Sequence, residues 1–132
     1  MKPLAIDTNV LIDMLEKDSC PQRDFEKYDR LLISATVVGE YRAGIEDTRR
    51  GRSILAKFQD YLSKASVSVV PVTERTAELY AKVFQALKER GKKIPQNDVW
   101  IAASALEHGA DLATSDEHFR AVPMLEVLHR HG

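Results

Sequence analysis

Short apolar segments alternate with longer segments of helical periodicity along this chain, and that alternation limits the possible folds most strongly. The predicted strands are 4–7, 31–35, 67–72, 111–115 and a weaker one at 125–128. Between them, apolar side chains recur every three or four positions, which is the period of one helix face. Strands that alternate with helices build mostly parallel sheets, because each helical crossover returns the chain to the same end of the sheet. We therefore predict a three-layer α/β/α sandwich around a mostly parallel sheet of about five strands.

The segments between the strands predict helices. They lie at 10–15, near 25–30, from Thr36, from Ser53, from Thr73 to Gly91 and at 99–106. Thr73 is expected to cap the fifth of these helices, and Gly91 is expected to end it. Its expected buried face consists of Ala77, Tyr80, Ala81, Phe84 and Leu87. The last helix is almost entirely apolar, which predicts burial between the sheet and a neighbouring element.

The size, charge and cysteine content of the chain limit the kinds of protein that it can be. Its 132 residues, 44% of them hydrophobic, predict a single domain at 1–132 with one core. The 19 basic and 20 acidic residues leave a formal net charge of -1, so any attraction to nucleic acid must come from local patches. The one cysteine, Cys20, cannot form an internal disulfide and is expected to be a spectator in a reducing cytoplasm. Asp7, Asn9 and Asp13 interrupt the apolar start, so we expect neither a secretion signal nor a membrane span.

Four carboxylates occupy points where predicted strands give way to helices or where helices begin. Asp7 ends the first strand and Asp116 follows the fourth, while Glu40 and Asp98 lie in the first turns of helices. Right-handed crossovers place such positions at one edge of a parallel sheet, where these folds bind ligands. Each acid alone could instead cap a helix or complement its dipole. The four together predict a shared site.

Capping does not explain all four acids, because Asn97 could already cap the Asp98 helix and Glu40 lies a full turn beyond Thr36. Like charges a few ångströms apart repel by about 4 kcal/mol even at an effective dielectric near 20, so a cation is needed to gather them. Oxygen ligands select Mg²⁺ or Mn²⁺ over zinc. His118 is expected to be a surface residue. Side chains that could orient the acids, or merely shape the turns, are Thr8, Asn9, Thr114 and Ser115.

Four segments resemble the motifs of a known family. The opening Ala5-Ile6-Asp7-Thr8-Asn9-Val10-Leu11-Ile12-Asp13 resembles the first motif of the PIN-domain ribonucleases, in particular the VapC-like toxins of toxin–antitoxin pairs. Segments 36–41, 97–103 and 114–119 resemble the second, third and fourth acidic motifs in the family's order. The resemblance spans 4–119, and none of the four acidic positions departs from the pattern. It therefore implies an intact site.

The resemblance implies a PIN-like fold and an endoribonuclease that depends on Mg²⁺, with Mn²⁺ as the other possible ion. Asp7, Asp98 and Asp116 would hold the metal directly or through water, and Glu40 would complete the site. Attack by a metal-bound water on the RNA phosphodiester predicts 5′-phosphate and 3′-hydroxyl ends. The resemblance also implies a homodimer and a cognate antitoxin whose C-terminal segment lies in a groove beside the site.

An acidic site repels RNA, so positive charge must lie nearby. The candidates for RNA binding are Arg42, Arg49, Arg50, Arg52, Arg90, Lys92 and Lys93, although a solvated surface would explain any one of them. Two other functions stay open: a solitary PIN nuclease in RNA processing, and a non-catalytic RNA-binding or interaction module. A phosphatase resembling the haloacid dehalogenases has less support, because Asp7 is followed by Thr8-Asn9 and the Asp-x-Asp pair is missing.

Overall fold

A computed structural model describes residues 2–17, 25–46 and 48–129 and contains one five-stranded sheet. The strands are β1 (Leu4–Ile6), β2 (Leu31–Ser34), β3 (Val67–Val70), β4 (Asp111–Thr114) and β5 (Val127–His129). They lie in the order β3-β2-β1-β4-β5, and every neighbouring pair is parallel. The predicted parallel sheet is confirmed. Its strand order reverses at β1, which makes the carboxyl end of that strand the switch point.

Five α-helices connect and cover the strands. They are α1 (Thr8–Ile12), α2 (Ala35–Glu46), α3 (Gly51–Leu62), α4 (Glu74–Glu89) and α5 (Gln96–Glu107). A π-helical turn, Asp13–Lys17, follows α1, and a 3-10 turn, Glu117–Ala121, follows β4. Contacts group α1, α2 and α3 together and pair α4 with α5, which is the grouping expected if right-handed crossovers place the two sets on opposite faces of the sheet. The three predicted layers are therefore present.

The core lies on both faces of the sheet, as a parallel sheet between helices requires. Strand residues such as Leu4, Ile33 and Leu112 are fully buried. The apolar part of α5 is buried too, as its sequence predicted. On the other face, the rings of Tyr41 in α2 and Phe58 in α3 meet edge to face at 4.7 Å. Both layers are thus closed by large apolar side chains.

The predicted ends of α4 are confirmed. The Thr73 side chain accepts from the Thr76 backbone N–H, and the Thr76 hydroxyl accepts from the Thr73 backbone N–H, which forms a capping box. At the other end Gly91 has φ of 65°, and Lys92 N–H donates to the Leu87 carbonyl. A glycine is favoured there because side chains disfavour positive φ.

Two helical predictions were wrong. Residues 25–30 form no α-helix: Tyr28 N–H donates to the Phe25 carbonyl in a tight turn, and the Tyr28 hydroxyl donates to Asp111 Oδ2 at 2.8 Å. In α4, the predicted buried residues Ala77, Ala81 and Phe84 are exposed. The buried face of α4 consists of Thr76, Val83 and Leu87.

A polar contact lies on the buried face of α4. Thr76 is fully buried, and its hydroxyl donates to the carboxylate of Glu107 at the end of α5. The Thr76 side of α4 thus faces α5, whereas Phe84 lies on the exposed side.

Cys20, for which a spectator role was predicted, lies outside the described residues. No helix in the described part of the chain is long and apolar enough to cross a membrane.

Candidate active site

Asp7 lies at the switch point, between β1 and α1, and is only 4% exposed. Its extended backbone makes it the N-cap of α1, and its Oδ1 accepts from Thr8 N–H at 2.8 Å. Its Oδ2 accepts from the Thr114 hydroxyl at 2.6 Å and from Asn9 Nδ2 at 3.2 Å. Three donors thus fix the orientation of one buried carboxylate. Asp7 therefore caps α1, and its position also allows a role in the candidate site.

The prediction that Glu40 lies in the first turn of its helix was wrong, because α2 begins at Ala35 and its first turn contains no acidic residue. Glu40 projects from α2 toward the starts of α1 and α5. The Thr8 hydroxyl donates to Glu40 Oε1 at 2.7 Å, so Thr8 contacts both Asp7 and Glu40. Asn97 Nδ2 donates to Glu40 Oε2 at 3.2 Å. The proposal that Asn97 caps α5 was wrong, because Pro95 occupies the N-cap position and the Asn97 amide is used for Glu40.

Asp98 in the first turn of α5 and Asp116 after β4 meet at the ring of His118. His118 Nδ1 lies 3.1 Å from Asp98 Oδ2 and 3.2 Å from Asp116 Oδ1. One ligand atom from each of the three residues lies within 4.8 Å of the others. Asp116 also caps the 3-10 turn by accepting from His118 N–H at 3.3 Å.

His118 is the residue whose position in the site the sequence did not reveal. Its side chain is 46% exposed, as a surface residue would be, yet its Nδ1 is directed at two of the acids. The available signal was its place two residues after Asp116, at the start of a turn that returns toward the sheet.

Burial and mutual repulsion destabilise the charged forms of the acids in this cluster. Burial, reinforced by the charges of Asp98 and Glu40, raises the pKa of Asp7 to about 6 against the hydrogen bonds from Thr114 and Thr8. Burial and the charges of Asp116 and Glu40 also raise the pKa of Asp98, while the hydrogen bond from His118 opposes that shift. The hydrogen bond to Asp98 is the main cause of a raised pKa at His118. The cluster therefore favours the uptake of positive charge.

The four predicted acids come from four separate segments and share one electrostatic neighbourhood. Thr114 links two of them, because its hydroxyl donates to Asp7 and accepts from Asp116 N–H at 3.0 Å. Ser115 contributes its backbone N–H, which donates to Asn9 Oδ1 at 3.2 Å. Carboxylate oxygens that are oriented by neighbouring hydrogen-bond donors in this way fit a hard divalent cation. Their roles as catalytic residues and metal ligands remain predictions.

Two hollows with basic rims flank the cluster. A groove of about 410 Å³ includes Thr8 and Glu40 in its wall and carries Arg49 and Arg50. A second hollow, of about 570 Å³, begins at His118. Its basic residues are Arg90, Lys92, Lys93 and Arg120. Arg42 and Arg52 line a separate depression that contains none of the four acids. The structure thus brings part of the predicted basic set to the site.

Comparisons with known proteins identify the class. The PIN domain family model matches residues 4–125, so the chain belongs to the PIN-domain family. It is 28% identical to Ribonuclease VapC4 of Mycobacterium tuberculosis, covering 92% of both chains. It is 30% identical to Toxin FitB of Neisseria gonorrhoeae, over 86% of this chain and 87% of that protein. Among solved structures, VapBC-5 of Mycobacterium tuberculosis, a member of the VapBC toxin–antitoxin family, is 26% identical with a TM-score of 0.75, covering 98% of this chain and 100% of that chain.

Proposed function

We propose that this chain is a metal-dependent endoribonuclease and the toxin of a toxin–antitoxin pair, acting in the cytoplasm. The observation that carries the proposal is the gathering of Asp7, Glu40, Asp98 and Asp116 at one edge of the parallel sheet. Membership of the PIN-domain family supports the reaction class, and relatives named ribonucleases and toxins support the biological role.

The acids would hold Mg²⁺ or Mn²⁺, with Asp98 and Asp116 near each other and Asp7 and Glu40 adjacent to them. When bound, such an ion activates water and neutralises charge on the scissile phosphate. The chain supplies the orientation: Thr8 fixes Asp7 relative to Glu40, and Asn97 ties Glu40 to the helix that carries Asp98. No side-chain nucleophile is required, so 5′-phosphate products are expected.

The flanking basic residues give RNA a path to this acidic edge. Arg49 and Arg50 lie on the Glu40 side, while Arg90, Lys92 and Lys93 lie on the His118 side. Phosphates on either side of the scissile bond could therefore be neutralised while the bond itself lies over the carboxylates. This arrangement favours an extended single strand, whose backbone can cross the site between the two hollows.

The groove beside Glu40 also suits the C-terminal segment of an antitoxin. Its wall combines apolar Ile12, Ile45 and Ile54 with basic Arg49 and Arg50. An amphipathic segment with acidic residues would bury its apolar side chains there and pair with the arginines. Such a segment would compete with RNA for the same positive charges, which gives inhibition a direct physical basis.

The test is cleavage of an end-labelled single-stranded RNA by the purified chain, with chelator, Mg²⁺ or Mn²⁺ present. We expect cleavage only with metal, products with 5′-phosphate and 3′-hydroxyl ends, and a loss of at least about a hundredfold in Asp98→Asn. Asp60→Asn is the matched control, because Asp60 is an exposed carboxylate on α3.

The outcomes separate the alternatives. Persistent 2′,3′-cyclic phosphate products, or undiminished cleavage by Asp98→Asn, would contradict the proposed chemistry. Tight RNA binding without cleavage under any metal would instead favour the non-catalytic module. Growth arrest on expression of the chain, relieved by co-expression of a small protein encoded beside it, would support the toxin role over a solitary RNA-processing nuclease.

A further inference from the structure

The His118 ring lies at the surface, yet one of its nitrogens is directed at two carboxylates. Its Nδ1 lies 3.1 Å from Asp98 Oδ2 and 3.2 Å from Asp116 Oδ1, although nearly half of the side chain is exposed to solvent. In the described part of the chain, this is the group of three acidic, histidine or cysteine side chains whose ligand atoms come close enough to share an ion.

Two of the three spacings among these atoms are close to those of neighbouring ligands around one ion. Ligand atoms at adjacent corners of an octahedron, each 2.0–2.1 Å from an ion such as Mg²⁺, are about 2.9 Å apart. The two nitrogen-to-oxygen distances are close to this value. The ligand atoms of the two carboxylates also lie within 4.8 Å of each other, so a modest adjustment would let all three groups face a common cation.

The turn that carries His118 is firmly anchored. Phe119, the next residue, is fully buried in the core. His118 N–H donates to Asp116 Oδ1, and Asp116 N–H donates to the Thr114 hydroxyl at the end of β4. The backbone on both sides of the ring is thus held by the sheet and the core, which limits the directions available to the imidazole.

We infer that His118 is a nitrogen ligand of the metal site and that it makes this site prefer Mn²⁺ to Mg²⁺. The inference rests on the proposed metal-dependent function and deepens it. Mg²⁺ takes oxygen ligands almost exclusively, whereas first-row transition ions also accept imidazole. Mn²⁺ combines that tolerance with the preference for carboxylates that Asp98 and Asp116 impose. The neutral imidazole also adds a ligand without adding a fifth negative charge.

The test measures metal binding directly on the metal-free protein. Calorimetric titrations give the affinities for Mn²⁺ and Mg²⁺, and pulsed EPR of the Mn²⁺ complex detects nitrogen coordinated to the ion. We expect a nitrogen coupling in the parent protein that disappears in His118→Gln. We also expect His118→Gln to weaken Mn²⁺ binding by at least about tenfold while changing Mg²⁺ binding by no more than about threefold.

His108→Gln is the matched control. His108 is the C-cap residue of α5, at the opposite end of that helix from Asp98, and its Nδ1 contacts the Ser104 carbonyl. This variant should keep both the nitrogen coupling and the parent affinities. Circular dichroism of each variant checks that the fold is retained, which the exposure of His118 leads us to expect.

Two results would overturn the inference: no nitrogen coupling in the parent complex, or equal weakening of Mn²⁺ and Mg²⁺ binding in His118→Gln. Asp98→Asn distinguishes this failure from failure of the proposed function. If Mn²⁺ binds the parent without nitrogen coupling and Asp98→Asn abolishes binding, the carboxylate site stands and only the role of His118 is wrong. If neither ion binds the parent, the metal-dependent function fails as well.

Discussion

Asp7 caps α1 and also lies in the candidate site, and this position has a cost in stability. Its carboxylate caps α1 through Oδ1 and is held by Thr114 and Asn9 at Oδ2. Even with these donors its pKa is raised from 3.8 to about 6, because burial and two neighbouring acids disfavour the charge. Without metal at neutral pH, the folded state therefore contains a carboxylate whose ionised form is less stable than in the unfolded chain.

The raised pKa predicts a definite pH dependence for the metal-free protein. Because the folded pKa lies above the unfolded value, the contribution of Asp7 to stability is greatest below pH 3.8 and is lost as pH rises through about 6. A shift of this size corresponds to about 3 kcal/mol between the two limits. Urea unfolding with a chelator present, followed across this range, measures the slope.

Asp7→Asn should remove that slope. The amide keeps an acceptor for Thr8 N–H but places an NH₂ group near the Asn9 donor, so we expect a net gain of only about 1 kcal/mol at neutral pH. Added Mg²⁺ should stabilise the parent and leave Asp7→Asn unchanged. If Asp7→Asn were less stable than the metal-free parent at pH 7 and kept the same pH slope, the raised pKa of Asp7 would be excluded as the cause of that slope.

At the scale of elements, the junction between α2 and α3 is unusually tight. Gly51 begins α3 and is buried, and a Cβ atom there would overlap the backbone carbonyl oxygen of Ile45 in α2. This close approach sets the position of Arg49 and Arg50, which lie in the turn just before Gly51. The geometry of the groove beside Glu40 thus depends on a residue with no side chain.

Gly51→Ala should destabilise the protein by about 1–3 kcal/mol, because backbone atoms must move to admit the methyl group. Gly44→Ala is the control: Gly44 is exposed within α2, and a Cβ placed there would have no described atom within 4 Å apart from its chain neighbours and the adjoining helix backbone. Alanine at that helical position should be stabilising by up to about 1 kcal/mol. Urea denaturation of both variants checks the prediction. If Gly51→Ala and Gly44→Ala change the free energy of unfolding equally, the junction between α2 and α3 can relax to admit the methyl group.

The elements also show what the sequence could predict. Strong local patterns identified the five strands, the Thr73 cap and the Gly91 end of α4, since each depends on neighbours in sequence. The face of α4 was mispredicted because its buried side includes the polar Thr76, whose hydroxyl bonds to Glu107, a partner 31 positions away. Residues 25–30 were too few to establish a helical period, and the Tyr28 hydroxyl bonds to distant Asp111.

In the candidate site, too, the sequence predicted what depends on local pattern and missed what depends on distant residues. The acids could be assigned to one edge because strand ends fix their position, and the family motifs pointed to the same residues. The direction of the His118 ring could not be read from the sequence, since it depends on a turn anchored by Phe119 and on an acid from α5. Asn97 was likewise assigned to a cap, although its amide reaches Glu40 on another helix.

At the scale of the whole molecule, the outer face of α4 exposes an aromatic side chain to solvent. Phe84 is 47% exposed and stacks on Tyr80, which packs against Trp100 of α5 at 4.3 Å. We predict a homodimer through this face, since exposed aromatic side chains are typical of interface centres. Phe84→Glu should give monomers in analytical ultracentrifugation, while the adjacent exposed Gln85→Glu should not. A monomeric parent, or a Phe84→Glu dimer of unchanged stability, would contradict the prediction.

The charge of the whole molecule is nearly balanced, so RNA binding must depend on where the positive charges lie. We predict that Arg49→Glu combined with Arg50→Glu weakens RNA binding by at least tenfold and reduces the slope of log affinity against log salt by about 1–2, because two phosphate contacts are lost. The control is Arg75→Glu combined with Lys82→Glu, an equal change of charge on exposed positions of α4 outside both hollows. Fluorescence anisotropy with a labelled single-stranded RNA at several salt concentrations measures both quantities. If the two double variants lose affinity equally, net charge rather than the rim of the groove governs binding, and the proposed path of RNA across the acids would have to be abandoned.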